Sequence, residues 1–232
     1  MVRPRRRQAG SSGGRQRLVP TAVRAAAALA AAAALSGCLG TGYVYISHRS
    51  PDGTDVYFKV PSRWTVYDAK AIFEAQNGPL GPSELKQLTD GQWIEALSAA
   101  PRPTVSSALT IGSRFPTGVV DAHQLGPTDR DQLSFSSMRA AILGTDPLTA
   151  SSGFQVLSYQ EFTGPGGVRG VKMVVNIDGK GPVKTFGQVV AVDAQTNWIF
   201  AIGVGCEVSC WGANAGSIRQ VLGSWTLKES RT

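Results

Sequence analysis

Four strand-like segments in the C-terminal part of this chain constrain its fold more than any other feature of the sequence. They are residues 154–162, 168–177, 183–192 and 198–204. The linkers between them, GPGG, DGKG and DAQTN, are rich in residues that form tight turns. Strands joined by such short turns pair each with the next, so the sequence predicts an antiparallel meander.

The last of these segments carries apolar residues on both of its faces. One face has Trp198, Phe200, Ile202 and Val204, and the other has Ile199, Ala201 and Gly203. A strand that is covered on both faces lies in the interior of a sheet rather than at its edge. We therefore expect residues 198–204 to form a central strand.

The segment before the meander predicts a hairpin followed by a mixture of helices and strands. Residues 43–48 and 55–60 flank the turn sequence SPDGT and would form the hairpin. Beyond it we expect a short helix capped by Asp68 through residue 76, a helical turn at 83–88, strands at 93–97 and 109–115, and a central helix at 128–143. This central helix would begin with Thr128, Asp129 and Asp131, which suit the positive end of the helix dipole.

The C-terminal segment predicts an amphipathic helix and a short final strand. Four apolar residues recur at spacings of four, three and four, which makes a helical stripe. They are Trp211, Ala215, Ile218 and Leu222. Gly223 stands where a C′ glycine would end the helix, and residues 224–228 would form the strand. Because the stripe has the period of a core-facing helix, we assign it to core packing rather than to a ligand site.

The first 37 residues have the pattern of an export signal. Seven arginines and no acidic residue lie before the eleven-residue apolar run 25–35, and small residues follow it. A basic segment, an apolar segment and small residues before a cleavage site are typical of secretory signals. Eleven helical residues are too short to cross a hydrocarbon core of about 30 Å, so the run does not predict a lasting transmembrane helix.

The apolar run ends in LSGC, residues 35–38. This stretch resembles the lipobox of bacterial lipoprotein signal peptides. The resemblance implies that the Cys38 thiol is acylated with diacylglycerol, that the chain is cleaved before Cys38, and that the new N-terminus also receives a fatty acid such as palmitate. We therefore expect a signal peptide at 1–37 and one domain at 38–232, tethered through 38–42 to the extracytoplasmic side of the cell membrane.

Loss of the signal peptide changes the charge of the protein. Seven of the 23 basic residues and none of the 16 acidic residues lie in positions 1–37, which leaves 16 of each and a net charge of zero. The pI of about 9.6 is thus a property of the signal peptide. Because no run of Lys and Arg remains, the sequence does not indicate a nucleic-acid partner.

Two cysteines remain once Cys38 is assigned to lipid. Cys206 and Cys210 form an even pair in an oxidising compartment, which predicts a disulfide between a strand and the start of the last helix. A redox or metal pair is the alternative. Redox motifs favour two intervening residues rather than three, and a metal site needs further ligands nearby.

Three pieces of the chain carry a family resemblance: FKVPSRWTVYD at 58–68, WIFAIGVGC at 198–206 and IRQVLGSWTL at 218–227. They resemble the PsbP/LpqN-type extracytoplasmic domains, which include lipoproteins of high-GC Gram-positive bacteria. The resemblance implies an α+β fold with an antiparallel β-sheet meander flanked by helices. It also implies an accessory or interaction role, without a particular reaction.

Residues 38–232 contain no GxSxG, HExxH or P-loop motif. The only histidines are His48 at the hairpin and His123 after a strand-like run. A metal site could group Asp121, His123, Asp129 and Asp131. Their spacing matches no metal motif, and a solvated loop with helix-capping acids explains the same residues. We therefore predict a protein that is not an enzyme and binds no metal or cofactor.

Three functions remain open. The first is a non-enzymatic domain that binds a protein or another envelope component, the second is a carrier or sensor of a small apolar ligand held between sheet and helix, and the third is an envelope hydrolase. A filled core with an exposed apolar patch would favour the first. An open apolar pocket of a few hundred Å³ would favour the second, and polar groups that converge on His123 the third.

Overall fold

The computed structural model describes residues 42–228. The predicted signal peptide at 1–37, Cys38 and the tether up to Thr41 lie outside these residues. The strands are Tyr43–Arg49 (β1), Asp55–Pro61 (β2), Thr65–Tyr67 (β3), Gln92–Ser98 (β4), Thr117–Gln124 (β5), Phe154–Thr163 (β6), Arg169–Ile177 (β7), Lys184–Val192 (β8), Trp198–Glu207 (β9) and Thr226–Lys228 (β10). The helices are Ala69–Asn77 (α1), Pro82–Thr89 (α2), Val105–Ala108 (α3), Pro127–Asp131 (α4), Phe135–Ala140 (α5) and Val208–Gly223 (α6).

Seven of the strands form one sheet in the order β3-β4-β5-β9-β8-β7-β6, and every neighbouring pair is antiparallel. The predicted meander is confirmed, since β6, β7, β8 and β9 pair each with the next. The central position of β9 is confirmed as well: it is the fourth strand of seven, and its residues 198–206 are all buried. With helices on both sides, the sheet confirms the α+β class.

The remaining strands form a second, smaller sheet in the order β1-β2-β10. The predicted hairpin is confirmed, with Tyr43 opposite Pro61 and Arg49 opposite Asp55. Gly53 takes a φ of +90° in its turn, a backbone conformation that glycine adopts without steric cost. The C-terminal strand β10 joins this sheet through β2, so that Thr226 lies opposite Tyr57.

One face of the large sheet is covered by α6 and by the inner face of the small sheet. Burial of apolar surface between these layers is the main driving force for the fold. The predicted α6 stripe is confirmed in its packing, since Ile218 is fully buried and Trp211 and Leu222 contact the same cluster. Members of that cluster include Val56, Phe58 and Val60 from β2, Phe200 and Ile202 from β9, and Ile218 and Val221 from α6.

The other face of the large sheet is covered by the short helices. Ile72 of α1 and Ala108 of α3 pack on Ala96 of β4. Met138 of α5 packs in a cluster that contains Val190 of β8. The predicted Asp68 cap is confirmed, because its side chain accepts a hydrogen bond from the backbone N–H at position 71.

The strand predicted at 109–115 is wrong. A short helix, α3, occupies Val105–Ala108, and β5 begins only at Thr117. Leu109 and Ile111 are apolar at alternate positions, but they pack into two different clusters from a loop. The alternation of apolar residues that predicted a strand therefore reflects two separate packing contacts of a loop with the core.

The single helix predicted at 128–143 is also wrong. Two short helices, α4 and α5, occupy this segment. Ser134 breaks the helix with a φ of −150°, and its side chain accepts a hydrogen bond from the backbone N–H of Ser137. A serine in this extended conformation caps a new helix rather than continuing the old one.

The ends of the last helix differ slightly from the prediction. The helix begins at Val208, three residues before Trp211, and Gly223 is its last residue rather than a C′ glycine. Ser224 caps it with a φ of −85°. Ordinary right-handed backbone at the cap means that no left-handed glycine is needed there.

Candidate interaction surface

The outer face of the small sheet is the most exposed aromatic surface that the structure describes. Residues directly opposite one another in antiparallel strands share a face. Tyr45 is opposite Lys59, and Ser47 is opposite Tyr57, which in turn is opposite Thr226. The tyrosine face is defined here as Tyr43, Tyr45, Ser47, Arg49, Asp55, Tyr57, Lys59, Thr226 and Lys228.

Two aromatic side chains of the tyrosine face are exposed to solvent. Tyr45 is 79% exposed and Tyr57 is 39% exposed. Between them lies an open groove of about 220 Å³. The groove is lined by Tyr45, Tyr57, Phe58, Lys59, Ser224, Thr226 and Lys228.

Cation–π contacts and hydrogen bonds hold the side chains of this face in place. Lys59 Nζ lies 5.2 Å from the ring centroid of Tyr43, and Lys228 Nζ lies 5.5 Å from that of Tyr57. The Tyr43 hydroxyl donates a hydrogen bond to the side-chain oxygen of Gln220 on α6. These contacts link the side chains of the face in pairs and tie Tyr43 to α6.

The tyrosine face is positively charged. It carries three cationic side chains, Arg49, Lys59 and Lys228, and one carboxylate, Asp55. The Arg49 guanidinium lies 3.4 Å from the Asp55 carboxylate. The face thus has an excess of two positive charges, whereas residues 38–232 as a whole are neutral.

The structure brings Cys206 and Cys210 together at bonding distance, with 2.14 Å between the two Sγ atoms. Cys206 lies near the end of β9 and Cys210 in the first turn of α6. Both residues are buried in the cluster between the sheets and α6, with exposures of 0% and 8%. Because solvent reaches neither sulfur readily, the pair is poorly placed for redox exchange.

His123 pairs with Asp121 on the face of the large sheet that the short helices cover. His123 Nδ1 lies 2.7 Å from Asp121 Oδ2, and Gln92 Nε2 donates to Asp121 Oδ1 over 2.9 Å. The hydrogen bond to Asp121 raises the pKa of His123. Within residues 42–228, Asp121 is the one side chain that hydrogen-bonds to His123, so no hydroxyl or thiol is hydrogen-bonded to the ring.

The other acids of the grouping considered from the sequence do not join this pair. Asp129 accepts a hydrogen bond from the backbone N–H of Gly126 over 3.0 Å, which caps α4. Asp131 is the last residue of α4. In the described part of the chain, no three His, Cys, Asp or Glu side chains come close enough together to hold a metal ion.

His48 lies on β1 of the small sheet, on the other side of the large sheet from His123. Its ring stacks on Trp93 of β4, with ring centroids 4.6 Å apart and an interplanar angle of 8°. Burial lowers the pKa of His48. The structure therefore places the two histidines on different sheets and in different settings.

A buried carboxyl group beside Trp93 is absent from the sequence predictions. Trp93 Nε1 donates to Glu95 Oε1 over 3.3 Å, whereas the buried Glu95 Oε2 has no hydrogen-bond partner. Burial raises the pKa of Glu95 to about 7. The signal in the sequence is a single acid inside the apolar strand QWIEALS, at a position whose neighbours along the same face, Trp93 and Leu97, are apolar.

No family model and no curated protein matches the chain. Among solved structures, it is similar to LpqN, a protein involved in cell envelope biogenesis of Mycobacterium tuberculosis, with 12% identity over 80% of this chain and 91% of that chain and a TM-score of 0.43. It is also similar to cyanobacterial PsbP from Synechocystis, with 10% identity over 79% and 92% and a TM-score of 0.43. A third is the Ran-binding protein Mog1p of Saccharomyces cerevisiae, with 9% identity over 82% and 97% and a TM-score of 0.42.

LpqN and PsbP are the two proteins that give their names to the PsbP/LpqN-type domains, which the sequence motifs resemble. Their sequence identities to this chain are low, and the likeness concerns the fold alone.

Between residues 42 and 228, no helix has the length and apolar character needed to cross a membrane.

Proposed function

We propose that the protein is a lipid-anchored extracytoplasmic domain that works by binding an envelope component and catalyses no reaction. Acylated Cys38 would hold it at the cell membrane, and the tyrosine face would be its binding surface. The observation that carries this proposal is the exposed, positively charged aromatic face on a domain whose interior layers are filled.

The filled interior counts against a carrier of a small apolar ligand. Such a ligand would occupy the layer between the sheets and α6. Phe58, Phe200 and Ile218 are at most 1% exposed and occupy that layer with their own side chains. The groove of about 220 Å³ opens instead on the outside of the small sheet. A groove that is open to solvent in this way does not enclose a small apolar ligand.

The polar clusters also favour binding over hydrolysis. A hydrolase needs a nucleophile within hydrogen-bond reach of its base, and the His123–Asp121 pair has none among the described residues. A Ser-x-x-Lys sequence at Ser83 and Lys86 lies on α2 with both residues exposed. Lys86 faces Asp90 over 3.9 Å rather than a buried serine, so this spacing does not build an activated nucleophile.

Complementation of a deletion strain tests the proposal. Tyr45→Ser with Tyr57→Ser should abolish function while the protein keeps its melting temperature and membrane location, since both residues are exposed. Leu157→Ser is the matched control, because Leu157 is 50% exposed on β6, the edge strand of the large sheet. Full function of the double tyrosine variant would show that the tyrosine face is not the binding surface.

A further inference from the structure

We propose that the tyrosine face lies against the anionic headgroup surface of the bilayer in which Cys38 is anchored. This inference rests on the lipid anchor proposed above and names the partner of the binding surface. It assigns the two lysines and the exposed tyrosines to phospholipid headgroups rather than to a second protein.

The length of the tether limits which surface can reach the membrane. Tyr43, the first residue of β1, follows Cys38 by five residues, which span at most about 18 Å when fully extended. A domain of nearly 190 residues is about 40 Å across. The tether is therefore shorter than half the domain, so only surfaces near Tyr43 come within reach of the headgroups.

The tyrosine face begins at that point. Tyr43 and Tyr45 stand at the start of β1, and Lys59 lies beside them, opposite Tyr45. From Tyr43 the face extends along the seven residues of β1, over about 23 Å. On the opposite face of the same strand, Val44 is 49% exposed, but Ile46 and His48 beyond it pack inward, on the core cluster and on Trp93. Of the two faces of β1, the tyrosine face is thus the one that is free to meet the bilayer.

The side chains of this face suit a bilayer surface. Tyrosine combines an apolar ring with a hydroxyl group and is enriched at the boundary between headgroups and hydrocarbon. Lysine lays its apolar stem along the surface and extends its ammonium group to the phosphates. Lys59 and Lys228 both line the groove between Tyr45 and Tyr57, which places two hydrogen-bond donors where a headgroup phosphate would enter.

The charge of the tyrosine face would orient the domain relative to an anionic bilayer. Residues 38–232 are neutral overall, but the tyrosine face has an excess of two positive charges, because Asp55 offsets only one of three cations. An anionic surface therefore attracts this side of the domain more than the molecule as a whole. Salt weakens such an attraction between exposed charges.

The experiment compares the reactivity of lysines toward a water-soluble acylating reagent in the purified full-length protein. The protein is reconstituted in vesicles of phosphatidylcholine with and without phosphatidylglycerol, and mass spectrometry measures the modification of each lysine and the acylation of Cys38. We expect Lys228 to react about fivefold more slowly in the anionic vesicles, and high salt to remove this protection. Lys86 and Lys180, which are exposed elsewhere, are internal controls and should react equally in both.

A variant tests whether the face itself makes the contact. Tyr45→Ser should restore the reactivity of Lys228 in anionic vesicles, whereas the control Leu157→Ser should not. Equal reactivity of Lys228 in both vesicle types would overturn the inference while leaving an acylated Cys38, and so the proposed function, intact. If Lys228 reacted more slowly than Lys86 and Lys180 in detergent without lipid, the inference would also be overturned. Such protection would indicate that a second copy of the protein covers this face. A Cys38 without acyl groups would remove both proposals.

Discussion

Arg139 on α5 binds Asp146 through two hydrogen bonds: Nε donates to Oδ1 over 2.8 Å and Nη2 donates to Oδ2 over 2.7 Å. The two side chains are only 11% and 6% exposed. Arg139 also donates to the Tyr159 hydroxyl on β6, and its carbonyl oxygen accepts a hydrogen bond from Gln188 on β8. The pair therefore fastens α5 and the loop after it to two strands of the large sheet.

We expect Asp146→Ala to lower the free energy of unfolding by about 3 kcal/mol, because it leaves the Arg139 guanidinium buried without its counter-ion. The hydrogen bonds from Arg139 hold the pKa of Asp146 well below its usual range. Stability from this group is therefore present above the ordinary pKa of an aspartate and is lost as the pH falls below it. Urea denaturation at neutral and acidic pH measures both effects.

Asp90→Ala is the matched control for Asp146→Ala. Asp90 pairs with Lys86 over 3.9 Å, but both side chains are 78% exposed. Solvent screens such a pair, so the change should alter the free energy of unfolding by less than about 1 kcal/mol. Equal effects of the two changes would mean that burial does not strengthen the Arg139 pair.

Glu95→Gln should remove a pH-dependent loss of stability. Burial raises the folded-state pKa of Glu95 from 4.5 to about 7, so the folded protein binds this proton more tightly than the unfolded chain. The free energy of unfolding of the wild type therefore falls as the pH rises from about 4.5 to about 7. At pH 8, Glu95→Gln should be more stable than the wild type by about 1–2 kcal/mol, and at pH 4 the two should be equal.

The measurement is thermal or urea unfolding of both proteins across this pH range. Glu161→Gln provides a control for removal of an acid, since Glu161 is an exposed residue of β6. A wild-type curve that stays parallel to that of Glu95→Gln throughout would show that Glu95 ionises normally in the folded protein.

The parts of the fold that the sequence predicts well are those with local signals. The alternation of apolar residues from Trp198 onward and the glycine-rich turns around it are properties of neighbouring residues, and the meander follows from them. The pairing of Thr226 with Tyr57 joins residues far apart in the chain, and no local pattern specifies it. Ser134 is compatible with a helix interior and with an N-cap, and only packing of the helix that follows decides between them.

The tyrosine face could not be predicted from the sequence for a similar reason. In β1, Tyr45 alternates with Ile46 and both faces carry large side chains, so the sequence does not say which face points outward. That choice follows from the packing of Ile46 on the cluster beneath α6. Glu95 likewise resembles any strand acid until folding brings the Trp93 side chain to it and buries its carboxyl oxygen Oε2.

The bridge between Cys206 and Cys210 gives a further prediction. Intact mass of the exported protein should show no alkylation before reduction and two alkyl groups after it. The loop between the cysteines is short, so a Cys206→Ser, Cys210→Ser double variant should fold and lose about 2 kcal/mol of stability. Ser209→Ala, at an exposed position of the same helix, is a neutral control. Free thiols in freshly exported protein would contradict the prediction.

Cys38→Ala should leave the protein unprocessed or free of the membrane, because Cys38 would carry all of its acyl chains. Two or three chains at about 0.8 kcal/mol per buried CH₂ group hold a domain at a bilayer, whereas a single chain binds reversibly. Detergent phase partition and intact mass of the variant and wild type make the comparison. If the variant partitions with the detergent phase at the wild-type mass, the lipobox assignment is wrong.

Replacement of both histidines separates a binding function from a catalytic one. Any general-base or metal mechanism of a conventional kind would recruit His48 or His123, the only two histidines in the chain. Since His48 stacks on Trp93 and His123 pairs with Asp121 without a nucleophile, we expect His48→Ala with His123→Ala to retain complementing activity in cells. The same assay with Tyr45→Ser and Tyr57→Ser should fail, because those residues form the exposed surface. Thermal melting and membrane fractionation establish that each variant is folded and in place. Loss of function in a folded, anchored histidine variant would replace the binding hypothesis with a hydrolase or metal-dependent one.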